Sequence, residues 1–226
     1  MKALLILALS SFALTSVCVH GEALDDVLGR MDRSAQSFRS LTAKMHRVQF
    51  TAVLSESSTM EGIMRLKREK GGTTAVVEFQ PPDPRTVFVK GKNIQIFYPK
   101  ANSVEIYDAS KYLSNIDQFL LLGFGTTSAE LMKSYELKAG GVEAIGGKMC
   151  TRIELTPKTA DIKQLLTKIE LWIPEGDSNP LREKVSEPSK NYELVDYSDI
   201  KLNPPLPDSA FEFKLPKGVK TIYPQK

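Results

Sequence analysis

The stretch TTAVVEFQPPDPRTVFVKGKNIQIFYPKANSVEIY, residues 73–107, decides the fold. Four short apolar runs recur in it, TTAVVEF, RTVFVK, NIQIFY and VEIY, with QPPDP, GK and PKAN between them and DASK after the last. β-branched and aromatic residues at this spacing, punctuated by Gly and Pro, predict an antiparallel meander. Several of these strands are apolar on both faces: Val76 beside Val77, then Val87, Phe88 and Val89, then Ile96, Phe97 and Tyr98. A large antiparallel sheet usually wets one face, so double-sided apolarity calls for a cover on each side or a cavity on one. The surplus is either ordinary core or the lining of an apolar ligand site.

Upstream, the period also changes to two from Leu41. Val48, Phe50, Ala52 and Leu54 alternate with polar residues, ESSTMEG (56–62) reads as the turn, and Gly62, Met64, Leu66 and Arg68 alternate on the way back. These runs predict a long hairpin. Before it, Leu24, Val27, Leu28, Met31, Ala35 and Phe38 recur at three- and four-residue spacing, and Asp25 and Asp26 fall in the first turn, where the helix dipole favours negative charge. An amphipathic helix over 24–39 follows.

Downstream, the strand pattern breaks between Ala109 and Tyr135, where KYLSNIDQFLLLGFG and TTSAELMKSY predict two short helices, the second capped at Thr127 or Ser128. Strands resume with YELKA, KMCTRIELTP, KIELWIP, PLREKVSE and NYELVDYSDIKL, and the chain ends on AFEFKLPKGVK. The total is about eleven strands and about three helices, an α+β protein with one large sheet. No Ser/Gly linker or repeat period divides the chain.

Residues 1–21 open with Lys2, run apolar from Ala3 to Val17 and end in small or polar residues, which reads as a secretory signal peptide cleaved after Gly21 or Ala23. The apolar run is shorter than the roughly 20 residues that span a bilayer. Val17 before Cys18 is too bulky for a lipidation motif. The expected mature protein, residues 22–226, is a single exported domain with 29 basic against 27 acidic residues and a net charge of +2, and it keeps one thiol, Cys150, and one imidazole, His46. So even a balance excludes the basic stripe that nucleic-acid binding needs. Stability must come from a core, since one cysteine makes no disulfide scaffold.

The catalytic inventory is nearly empty. His46 sits inside a strand near Lys44 and Arg47, Cys150 has no Cys or His at metal-ligand spacing, and neither a dinucleotide nor a phosphate loop occurs. Carboxylate pairs such as Asp25 with Asp26 and Glu183 with Glu187 read as solvated faces. No catalytic residue, metal site or cofactor is expected.

Taken in order behind the leader, the helix ALDDVLGRMDRSAQSFRSLTAKM, the arm GIMRLKR, the strand GKNIQIFYP, the segments IELTPK, KIELWIP and PLREKV and the closing FEFKLPKGV resemble the periplasmic outer-membrane lipoprotein carrier and lipoprotein-sorting family of the Lol pathway. The resemblance covers nearly the whole mature length. It implies an incomplete β-barrel, an antiparallel sheet of eleven strands curled around an apolar cavity under a helical lid. It also implies a monomeric periplasmic carrier without cofactor. Such a carrier takes acylated lipoproteins from an inner-membrane lipoprotein-releasing ABC transporter and delivers them to an outer-membrane lipoprotein receptor.

The family's lid latch, an arginine in the second strand that bonds to lid backbone, corresponds to Arg68. Where the family usually has Pro next and an aromatic-rich third strand, this chain has Glu69 and GGTTAVVEF. On the face shared with Arg68, Met64 and Leu66 are expected to line the cavity with Ile94 and Ile96, under lid residues Leu113, Ile116, Phe119, Leu120 and Phe124. A lipid- or lipoprotein-binding envelope sensor or sorting factor of the same fold is the alternative within binding proteins. An envelope hydrolase is the alternative from another class, and it would need His46 in a pocket beside a Ser and a carboxylate.

Overall fold

A computed structural model describes residues 22–70, 72–108 and 122–224. The leader and the expected lid residues Leu113, Ile116, Phe119 and Leu120 lie outside the described residues.

Helix α1 (Leu24–Ser37) buries Val27, Leu28, Met31 and Ala35, the stripe that its spacing predicts. Strands β1 (Ser40–Thr51) and β2 (Glu56–Glu69) form the long hairpin. Its turn comes earlier than the sequence suggests: the chain reverses at 52–55, with Ser55 at φ 54°, and Glu56 already pairs with Thr51. Val53 and Leu54 are therefore an exposed apolar tip, not strand residues, and Val53 is 88% exposed. The polar run 56–61 is a solvated strand arm, because alternation beyond the edge of the core no longer has a buried face to mark it.

The meander β3 (Gly72–Phe79), β4 (Arg85–Lys90), β5 (Asn93–Tyr98) and β6 (Ser103–Asp108) follows as read. After the cross-over come α2 (Ser128–Ser134), β7 (Tyr135–Ile145) and β8 (Lys148–Pro157). Then α3 (Ala160–Leu165), β9 (Lys168–Pro174), β10 (Arg182–Ser186), β11 (Tyr192–Leu202) and a short β12 (Lys220–Ile222) complete the chain. α2 begins with a full capping box: the Thr127 hydroxyl accepts from the Glu130 amide and the Glu130 carboxylate accepts from the Thr127 amide. α3 was not legible in the sequence, being a single polar turn and a half. β7 runs six residues past its expected end by bulging between Ala139 and Val142, where Gly141 takes φ 98°.

All twelve strands form one open, curled sheet in the order β12-β6-β5-β4-β3-β2-β1-β11-β10-β9-β8-β7. Eleven pair antiparallel; β12 adds to β6 in parallel. β1 lies at the centre, and β6 and β7 lie near opposite edges; of the connection between them, the crossing segment, the described residues 122–127 bury Leu122 and Phe124 in the inner clusters.

The inner face carries two clusters. Leu41, Ala43, Met45, Met64, Leu66, Ala75, Val89, Val195 and Tyr197 pack with Phe38 and Phe124. Ile153, Leu155, Ile169, Leu171 and Ile173 pack under Val27, Leu28 and Met31 of α1 and under Leu122 and Leu131. The buried stripe of β1 is thus Leu41, Ala43 and Met45; Val48 and Phe50 lie on the opposite face, where Phe50 stacks on Tyr192 at 5.0 Å.

The second apolar face of the meander also has its cover. Val76 and Phe88 are register partners on the outer side, and Phe213 from the C-terminal segment stacks on Phe88 at 5.5 Å and meets Phe97 edge-on at 6.3 Å. The outer face of β7–β9 is closed instead by ion pairs, with Arg152 and Lys168 around buried Glu170.

Candidate functional site

Between the two inner clusters the sheet holds a cavity of about 370 Å³. That is within the roughly 300–1,000 Å³ of small-molecule sites. Met45 and Met64 line it from the central hairpin, Val185 and Val195 from β10 and β11, Leu122 and Phe124 from the crossing segment, and Leu165 and Leu166 from the end of α3. Each of the strand residues points inward by register: Ala43 faces Met64, Arg47 faces Val195, and Val185 faces Ile169. The flexible thioethers of the two Met residues suit a wall that must accept variable apolar shapes.

The cavity has a polar end. Glu183 lies on the inner face opposite Val195 and Leu171, only 9% exposed, and accepts a hydrogen bond from the Tyr197 hydroxyl at 3.1 Å. Burial pushes its carboxyl up to about 8, against the weaker opposing pull of the Tyr197 bond. Burial and then the nearby Glu183 charge push the Tyr197 phenol upward as well. Tyr197 is held by Phe124, which meets it edge-on at 5.1 Å. Glu187 and Glu193 also line the cavity, and Glu193 accepts from Arg47 at 2.5 Å.

Arg68 joins three pieces of chain at one margin of this face. Its guanidinium donates to the carbonyl of Ala35 at the end of α1 (3.1 Å) and to the carbonyl of Gly125 in the crossing segment, and it lies over the Phe38 ring at 5.3 Å. Gly125 permits this approach: a Cβ there would lie 2.8 Å from Phe38 Cδ1 and 3.0 Å from Arg68 Nη2. A second tie runs from α1 to α2, where Asp32 accepts from the Ser128 amide (2.5 Å) and hydroxyl (2.6 Å).

Of the residues that the sequence nominates, Met64 and Phe124 line the cavity and Leu66 is fully buried beside it in the same cluster. Ile94 packs against that cluster, while Ile96 is half-buried farther along the inner face, opposite Glu105. The β10–β11 side of the cavity was missed, and with it Glu183. Asp25, Asp26 and Glu187 are exposed, but Glu183 is buried and does not share a solvated face with Glu187. The sequence does hold a signal for this: in REKVS, Glu183 alternates in phase with Val185, on the inward side.

His46 stands on the outer face against Glu61, 2.6 Å away, and not in the cavity. Cys150 is buried with Ile145 and Trp172, and burial raises its thiol. Among the described residues no group of three or more His, Cys, Asp or Glu stands placed to hold a metal ion.

This arrangement, an apolar cavity under a crossing segment, meets a matching family. The sequence pattern described as "Outer membrane lipoprotein carrier protein LolA" matches residues 38–214. The chain belongs to this family. An outer-membrane lipoprotein carrier protein of Pseudomonas fluorescens is 22% identical over 222 residues, 98% of this chain and 99% of that protein. Among solved structures, an uncharacterised conserved protein from Thermus thermophilus superposes with a TM-score of 0.52 at 13% identity, over 88% of this chain and 98% of that one. MucB superposes with a TM-score of 0.50 at 14% identity, over 84% of this chain and 62% of its own. Those two likenesses concern the fold. The LolA family is a family of periplasmic carriers, not of enzymes. Among the described residues no helix is long and apolar enough to cross a membrane.

Proposed function

We propose that this chain is exported, loses residues 1–21 and works as a single-domain periplasmic chaperone that carries lipoproteins from the inner to the outer membrane with their acyl chains in the cavity. In this reading an inner-membrane lipoprotein-releasing ABC transporter loads it and an outer-membrane lipoprotein receptor unloads it. The supporting observation is the cavity itself, walled by Met45, Met64, Phe124, Val185 and Val195 on the inner face of the sheet.

The physics of the task fits the site. Burying an acyl chain is worth about 0.8 kcal/mol per CH2, so a multiply acylated protein does not cross water alone. The carrier must hold the chains yet release them. Arg68 suits that requirement as a latch, because hydrogen bonds to a charged group contribute only about 1.5–3 kcal/mol each. Opening the crossing segment breaks one such bond, that to the Gly125 carbonyl, and exposes Phe124 and Leu122.

The test is to purify the protein from the periplasm and search for co-purifying lipoprotein by mass spectrometry, with binding of a fluorescent fatty-acyl probe measured in parallel. Bound acylated protein is the expected result. A protein that comes off empty and leaves the probe unbound overturns the carrier reading.

A further inference from the structure

A hydrocarbon-binding cavity has no need of a buried carboxyl, and this one has Glu183. The side chain sits in a row of inward residues, Arg47, Val195, Glu183, Leu171 and Ile153, set by the register of β1, β11, β10, β9 and β8. Apolar side chains flank it on both sides of that row. An unpaired acid in such a place costs several kcal/mol in its charged form, so it stays protonated or finds a cation. Among the described residues no cation pairs with it: Arg47 Nη2 is engaged by Glu193, its Nη1 is buried without a hydrogen-bond partner and forms no ion pair with Glu183, and the other charged groups on the cavity wall, Glu187 and Glu193, are acids. Among the described residues, its hydrogen-bond partner is the Tyr197 hydroxyl. One donated bond leaves a carboxyl with capacity to spare, and in its neutral form that capacity includes an O–H donor.

A neutral acid facing an apolar cavity is suited to one kind of ligand group: a carbonyl set at the head of a hydrocarbon chain. We propose that Glu183, positioned by Tyr197, donates a hydrogen bond to an ester carbonyl at the acyl junction of the bound lipid and so selects neutral, ester-linked acyl ligands. The inference rests on the carrier reading and adds to it a specificity residue. Anionic heads, such as a fatty-acid carboxylate, meet Glu187 and Glu193 at the same wall and are disfavoured by like charge. The groups near Glu183 are Tyr197 and Glu193 from β11, Tyr135 at the start of β7 and Glu187 on the same cavity wall, with Arg47 of β1 two strands along the same row. Of these, only Arg47 is a cation. The carboxyl of about 8 is consistent with a proton held at neutral pH.

The experiment uses the exported protein and two synthetic lipopeptides that differ only in their two hexadecyl chains, ester-linked in one and ether-linked in the other, each competing with a fluorescent acyl probe. Wild type is expected to prefer the ester form about five- to tenfold at pH 6.5. Glu183→Leu should abolish that preference. Glu183→Gln, whose amide N–H still donates, should retain most of it and keep it at pH 9.5, where wild type loses it as the carboxyl ionises. An ester preference that survives in Glu183→Leu, or a wild-type preference that is flat from pH 6.5 to 9.5, overturns the inference. Equal wild-type binding of both lipopeptides overturns this inference alone. Binding of neither overturns the carrier reading with it. Should Glu183→Leu fail to fold, the wild-type pH series against Glu183→Gln decides.

Discussion

Arg68 and Gly125 meet where the central hairpin touches the segment that crosses the sheet, the guanidinium donating to the glycine carbonyl while also bonding the carbonyl of Ala35. One side chain therefore fixes the end of α1 and the crossing segment over the same margin of the cavity. The two partners are independent in sequence, and only the fold brings them together.

If this contact is a latch, Arg68→Leu should speed acyl-probe release. Losing two bonds of about 1.5–3 kcal/mol each predicts an off-rate at least tenfold higher. Stopped-flow displacement reads it, and an unchanged off-rate and affinity would remove Arg68 from the closure.

Gly125→Ala should act in the same direction without touching Arg68. The new methyl would collide with Phe38 and crowd Arg68 Nη2, so the guanidinium must withdraw. Release faster than wild type but slower than in Arg68→Leu is expected. Combining the two substitutions should add little, since both break one contact.

Asp32→Ala removes both bonds to Ser128, which tie the start of α2 to α1. A loss of about 1–3 kcal/mol is expected from urea unfolding. Hydrogen exchange should quicken at the amides of Ser128–Ser134 and leave β9 protected. A uniform change across both would show that α2 does not open by itself.

Phe213→Ala tests the outer cover of the meander. Phe213 is half-buried on Phe88 and Phe97, so a loss of about 1–3 kcal/mol is expected, with increased binding of a hydrophobic dye. Acyl-probe affinity should stay within about twofold, because the covered face is opposite the cavity.

These contacts differ in how far the sequence discloses them. Strong local alternation made β3–β6 and α1 readable, and the double-sided apolarity of Val76, Phe88 and Phe97 left open whether a second cover or a cavity lay on the far face. Phe213 lies more than a hundred residues away, and no local pattern links it to Phe88. The hairpin turn was misplaced because Val53 and Leu54 are apolar yet exposed, so composition pointed to strand where the backbone needed a turn. At Glu183 residue type and phase disagree, and the structure follows phase. A glutamate is usually solvated, but its place two residues before Val185 put it indoors.

Glu183 also makes stability depend on pH in an unusual sense. Its carboxyl rises from an ordinary 4.5 to about 8 on folding, so between these values the folded state binds more protons than the unfolded one. Stability contributed by this group is therefore full below about pH 4.5 and is lost as pH rises through about 8. Most acids behave the other way: Glu130, held low chiefly by its hydrogen bond from the Thr127 amide, favours folding as pH rises. The comparison of wild type with Glu183→Gln cancels such background terms. The difference in unfolding free energy, measured in urea from pH 5 to 9, should move steadily against wild type as pH increases and flatten above about pH 8.5, past the folded value near 8. A difference that stays constant over this range would mean that the carboxyl is already ionised in the folded protein, with water or a cation reaching it. The cavity would then present an anion, and not a donor, to whatever it holds.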